Sequence, residues 1–206
     1  MTKKLKIKGD VKKKGGEVAL AHQAVVHPST IKGEDVDVST LNAATIVCFH
    51  APVEAVPNTN PGRFLIQVSG IDAGDDDWAT IAEHRAAVVT AATESITAVG
   101  AGQTVLLAAS TAGFAAEDGL YIQDVSKVSQ SEWQICKNID VDTSIDIIDE
   151  LSYEKDTGDI AWNGAEIFIT QIDLTSVIRI RVIFQHEGAA GANAHVRALM
   201  TISDVN

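Results

Sequence analysis

The stretch SVIRIRVIFQ, residues 176–185, decides the class of fold. Successive side chains of a strand point to opposite faces. The period of two therefore predicts a strand with Ile178, Ile180 and Val182 toward a core and Arg179, Arg181 and Ile183 away from it. Two arginines on the outer face are unusual on a chain this acidic. Arginine carries a planar, multi-donor head favoured at interfaces. Arg179 and Arg181 are thus expected to meet an acidic patch of a neighbouring subunit, with a solvated strand face as the alternative.

Similar text recurs along the chain. AATIVCFHA at 43–51, RFLIQVS at 63–69, WATIAEHR at 78–85, AEIFITQID at 165–173 and HVRALMTI at 195–202 all read as strands. Ala86–Ala92 is Ala-rich, but Val88, Val89 and Thr90 favour continued strand there. The middle has shorter pieces: 103–108, 119–123, 132–139 and 144–148. Turn clusters rich in Gly, Asp and Asn separate them, and no capped amphipathic helix is found. The class is all-β. The outer parts have longer strands than the middle, and neither has enough alone for a sandwich. The chain is therefore expected to form one discontinuous β-sandwich, 34–92 plus 164–206, with 93–163 inserted as a small barrel-like β-module. The ends of such an insert must lie close together, so Thr93 and Asn163 should meet.

The N-terminal head contrasts with this body. Lys3, Lys4, Lys6, Lys8, Lys12, Lys13 and Lys14 stand against one acid, Asp10, giving the head +6. The whole chain is at −12, so the remaining 190 residues carry −18. Ammonium groups resist burial. Residues 1–33 accordingly read as a basic arm and joint, able to lie on an acidic surface such as that of a neighbouring copy. A body this acidic would bind DNA phosphates poorly, so no direct nucleic-acid contact is expected.

Catalytic and metal motifs are weak. His50, His84, His186 and His195 fit no ligand spacing. Asp72, Asp75, Asp76 and Asp77 resemble a calcium loop but lack its glycine and terminal glutamate. Asp140, Asp142, Asp146, Asp149 and Glu150 form a second acidic group, read as a solvated strand face. A glycosidase pair among them would have only Trp133 and Trp162 nearby as a sugar platform. Ser110, Ser129 and Ser131 sit in no nucleophile elbow, and Gly100-Ala101-Gly102 is no phosphate loop. Cys48 and Cys136 lie in apolar runs and read as buried thiols. No cofactor is implied. Neither a secretory leader nor a membrane-length apolar run is found, so synthesis as a soluble cytoplasmic protein is expected.

Several of these stretches together resemble a family. DVST at 37–40, RFLIQVS at 63–69 with Trp78, and RIRVIFQHEG at 179–188 are similar to sandwich-type structural proteins of tailed bacteriophages. GFAAEDGLYIQD at 113–124, followed by SEW at 131–133, is similar to small β-modules of such virion proteins. The outer half also resembles galactose-binding jelly rolls. The likeness spans residues 34–206 and implies a jelly-roll-like, non-enzymatic virion component. Its most direct form is a capsid decoration or stabilisation protein, a homo-oligomer (a trimer as first expectation) on the major capsid protein or other virion subunits. A tail or head–tail connector component is the rival within that class, and a carbohydrate-binding adhesion module the rival outside it.

Overall fold

The computed structural model describes residues 16–25, 29–54, 61–71, 77–88, 91–186 and 193–203. Among them are fifteen strands, one short 3-10 turn and no α-helix. In chain order they are β1 (Gly16–Val25), β2 (Ser29–Lys32), β3 (Val36–Asp37), β4 (Ala43–Pro52), β5 (Arg63–Ser69), β6 (Ala79–Arg85), β7 (Thr93–Ser95) and β8 (Val105–Leu107). Then follow β9 (Gly119–Gln123), β10 (Glu132–Asp140), β11 (Ser144–Ile147), β12 (Ile160–Asn163), β13 (Glu166–Asp173), β14 (Arg179–His186) and β15 (Ala194–Ser203).

They form three antiparallel sheets. Two belong to a sandwich, in the orders β1-β15-β4-β13 and β2-β14-β5-β6, with β3 beside β14 after β2. Taking β2 and β3 as one interrupted strand and counting the sandwich strands from one to eight, the orders become 1-8-3-6 and 2-7-4-5. That is the jelly-roll arrangement of two interlocked Greek keys. The inner faces meet in one core that includes Ile46, Phe64, Ile66, Ile180, Val182, Phe184, Val196 and Met200.

The third sheet, β7-β12-β9-β10-β11-β8, draws all its strands from between β6 and β13. It curls until its two ends meet. Ile96, just after β7, bridges Ala108, just after β8, and Thr97 N–H donates to Leu107 O at 3.0 Å. The resulting small barrel has its own core of Ile96, Leu106, Leu120, Ile122, Ile145 and Ile147. Its entry and exit are adjacent: Thr93 pairs with Trp162, and Asn163 N–H donates to Ala92 O at 3.1 Å.

The β14 stretch alternates as its sequence requires. Ile180, Val182 and Phe184 are buried, while Arg179, Arg181 and Ile183 are half-buried on the other face. Its beginning differs from the expectation. Ser176 has φ +67° in a turn, where Asp173 Oδ1 accepts the Thr175 N–H at 2.8 Å, so the strand starts only at Arg179 and Ile178 is half-buried ahead of it.

Residues 17–25 and 29–32, expected as a joint, are strands of the sandwich. β1 is an edge strand of the sandwich on β15, and β2 pairs with β14. The period was hidden because β1 slips register between Val18 and Leu20 and again between Leu20 and Gln23. Such bulges place an extra residue on one strand and break strict alternation. Gly33 secures the crossover: a Cβ there would lie 1.9 Å from the Ala19 carbonyl oxygen of β1. The extended stretch expected at 86–92 is also shorter, since β6 ends at Arg85 and Val88 lies outside any strand, 66% exposed.

Candidate functional site

Barrel and sandwich touch at one end of the sandwich, where β4 and β1 finish and β13 and β15 begin. Phe49, Ala51, Tyr121, Trp133, Trp162 and Ala165 pack there in an apolar cluster apart from both cores. Gly119 of β9 allows the close approach, because a Cβ on it would sit 1.9 Å from the Ala165 carbonyl oxygen. Trp133 Nε1 of the barrel donates to the His50 carbonyl of the sandwich at 3.3 Å, and its ring lies 4.9 Å from that of His22.

Three polar atoms converge inside this cluster. His22 Nε2 lies 3.2 Å from His195 Nδ1 and 2.9 Å from the Tyr121 hydroxyl, which is 2.8 Å from the same Nδ1. Two proton arrangements satisfy all three: Tyr121 O–H donates to His195 Nδ1 while His22 Nε2–H is shared between the phenol oxygen and that nitrogen, or Tyr121 O–H donates to His22 Nε2 while His195 Nδ1–H is shared between the phenol oxygen and that nitrogen. Burial pushes the Tyr121 phenol well above its usual range, which keeps it a donor. Burial lowers His22 to about 3, helped by neighbouring His195 and Arg197, and lowers His195 to about 4. Both imidazoles are therefore neutral at pH 7. Two imidazoles and a phenol fall one donor short of the four that a structural zinc takes. Among the described residues no three His, Cys, Asp or Glu side chains are arranged to hold a metal.

Sequence reasoning missed this knot. His22 lay within the expected arm and joint, and Tyr121 within the strand expected at 119–123. The available signal was a ring with a polar atom among the Ala, Leu and Val of β1 and among the Leu and Ile of β9. His50 and His186 are buried as well, and His84 is half-buried. His50 is held at about 3, by burial first and by neighbouring His186 second. His50 stacks on Phe184 at 5.8 Å, and the His186 ring lies 6.0 Å from the same ring, tilted by 53°. His84 contacts the Thr170 hydroxyl at 2.5 Å and lies 11° from parallel with the Phe168 ring.

The barrel buries charge instead. Lys155 Nζ sits 2.9 Å from Glu132 Oε1 with neither side chain more than 9% exposed, and donates to the Gln130 carbonyl at 2.6 Å. The Glu132 carboxylate also accepts the Ser152 and Tyr153 N–H groups at 2.8 and 3.2 Å. Asp159 accepts from Val125 and Asp156, and Asp124 from Ser126 and Lys127. These carboxylates hold down the loops at 124–131 and 150–159.

Arg179 and Arg181 find partners within the chain. Arg181 lies 4.0 Å above the Trp78 ring and donates to Gln67 Oε1 at 2.8 Å. Arg179 lies 4.9 Å from the same ring, donates to the Ile71 carbonyl at 3.0 Å and approaches Asp35 at 3.9 Å. Lys3, Lys4, Lys6, Lys8, Lys12, Lys13 and Lys14 lie outside the described residues, as do Asp72, Asp75 and Asp76; Asp77 is exposed. Cys48 and Cys136 are buried free thiols, and burial pushes Cys48 up to about 12. Among the described residues no helix is long and apolar enough to cross a membrane. No family model, curated protein or solved structure matches the chain.

Proposed function

We propose that this chain is a non-enzymatic structural protein of a tailed-phage particle, one that decorates or stabilises the capsid as a homo-oligomer on the major capsid protein. The observation that carries the reading is the jelly-roll order of the eight sandwich strands, with a second β-lobe fixed to one end by a buried aromatic knot. Jelly rolls recur in viral capsid proteins and also in lectins and cupins, so the fold supports the reading by analogy. The placement of the carboxylates adds to it. Glu132, Asp124 and Asp159 are committed to backbone N–H groups and to Lys155, which is a structural use of buried charge.

The test is binding of the purified protein to heads of the phage that encodes it, read by cosedimentation and electron microscopy, beside a polysaccharide-binding assay. Saturable binding at regularly spaced positions on the shell is the expected result. Binding to a polysaccharide with none to heads would overturn the reading in favour of an adhesion module. Binding to tails alone would move the protein to the connector or tail.

A further inference from the structure

The outer face of the barrel is both apolar and acidic. Val105 and Leu107 of β8 are 40% and 49% exposed, with Leu106 between them turned inward and fully buried. Val105 pairs with Asp146 of β11. Ile148, 49% exposed, lies two residues further on, and its N–H donates to Ile135 O at 3.0 Å, so it adjoins Ile135 of β10, itself 42% exposed. By register Leu107 and Val105 on β8, Ile148 just after β11 and Ile135 on β10 lie in one diagonal row on this face, with Asp146 directly beside Val105. Asp146 and Asp149 lie along it, with Asp140, Asp142 and Glu150 exposed nearby; Lys137 is a cation on the same strand as Ile135. The barrel as a whole, residues 93–163, has thirteen acids against three lysines.

We propose that this face receives residues 3–8 of a second copy of the chain. Lys4, Lys6 and Lys8 alternate with Leu5 and Ile7. An extended segment of that pattern offers Leu5 and Ile7 to an apolar stripe and its ammonium groups to flanking carboxylates. Topology favours a neighbour over the segment's own barrel. β1 begins at Gly16 opposite Thr201, whereas the barrel is docked near the other end, at His22 and His195. From His22 back to Gly16 is about 20 Å of strand at roughly 3.3 Å per residue, so β1 begins at the end of the sandwich remote from the barrel. The contact is between copies of this chain. It is tested on isolated protein, and its failure leaves the shell reading standing.

The test is sedimentation equilibrium of the intact chain and three variants: Lys4→Glu/Lys6→Glu/Lys8→Glu, Val105→Asp/Leu107→Asp, and Asp146→Lys/Asp149→Lys/Glu150→Lys. The wild type should self-associate at low salt and weaken at high salt, since exposed charge pairs are screened. Each variant should weaken association about tenfold or more with its melting temperature kept. If Val105→Asp/Leu107→Asp fails to fold, the charge-reversed face, which leaves the core untouched, reads the same contact. Mixing the lysine-reversed arm with the acid-reversed face should restore association, because the reversed arm of one matches the reversed face of the other. A monomeric wild type, unchanged association in the variants, or no recovery on mixing would overturn the proposal.

Discussion

Sandwich and barrel solve the same problem, burying polar groups inside β-structure, by opposite means. The sandwich buries imidazoles: His50 and His186 are 0% and 1% exposed and His195 at the junction is 3% exposed, with burial holding His50 at about 3 and His195 at about 4. The barrel buries a lysine and a glutamate as an ion pair, 2.9 Å from each other and each with further hydrogen bonds to backbone. A neutral imidazole brings no charge into the interior at pH 7. A buried ion pair demands that every partner be present. The two lobes should therefore fail under different insults.

Acid should act most strongly, and on the sandwich and its junction. His22, His50 and His195 are held at about 3, 3 and 4, against about 6.5 when unfolded. Their folded values are depressed, so the unfolded chain binds protons that the folded chain refuses. Stability is flat above about pH 6.5 and is lost as pH falls from there toward 3. Each fully buried imidazole contributes a slope of about 1.4 kcal/mol per pH unit in that window, the partly exposed His22 less. Between pH 7 and pH 5 the loss is on the order of 3–6 kcal/mol, measured by urea titration at each pH. A midpoint that stays level to pH 5 would show that the histidines are not held neutral.

Next in size is the barrel's ion pair. Lys155→Met leaves Glu132 buried without its cation and should destabilise the barrel by about 3–5 kcal/mol. Adding Glu132→Gln should recover part of that, because the orphaned charge is then gone. Calorimetry of both variants checks it, and equal losses in the single and double variants would mean that the pair is not coupled.

Tyr121→Phe is the gentler probe. It removes the hydroxyl that joins His22 to His195 and should cost about 1–2 kcal/mol. The effect should be read at the junction, as faster hydrogen exchange in β1 and β9 with the two cores unchanged. Uniformly faster exchange would place Tyr121 in the general stability of the chain instead.

The all-β class was legible because apolar and polar residues alternate over β14 and dense β-branched text fills β4 and β5. What escaped had no local signal. β1 lost its period to two bulges, and the serine at 176 carried no mark of its left-handed turn. The junction joins residues 74 to 173 positions apart, and sequence pattern holds no information about such pairs. The arginines show the boundary well. Their alternation placed them on the outer face of β14, but Trp78, about a hundred residues earlier, gives them a partner in the same molecule.

That the two lobes are separate structures pinned at one place is tested most directly by removing one of them. Residues 95–162 would be replaced by a short Gly-Ser linker, which the adjacency of Thr93 and Trp162 permits at little loop-closure cost. The account predicts that circular dichroism keeps the strand signal of the sandwich and that a single cooperative unfolding transition remains, at a lower temperature because the junction cluster is uncovered. Loss of all β signal would contradict it and show that the jelly roll depends on the barrel to fold.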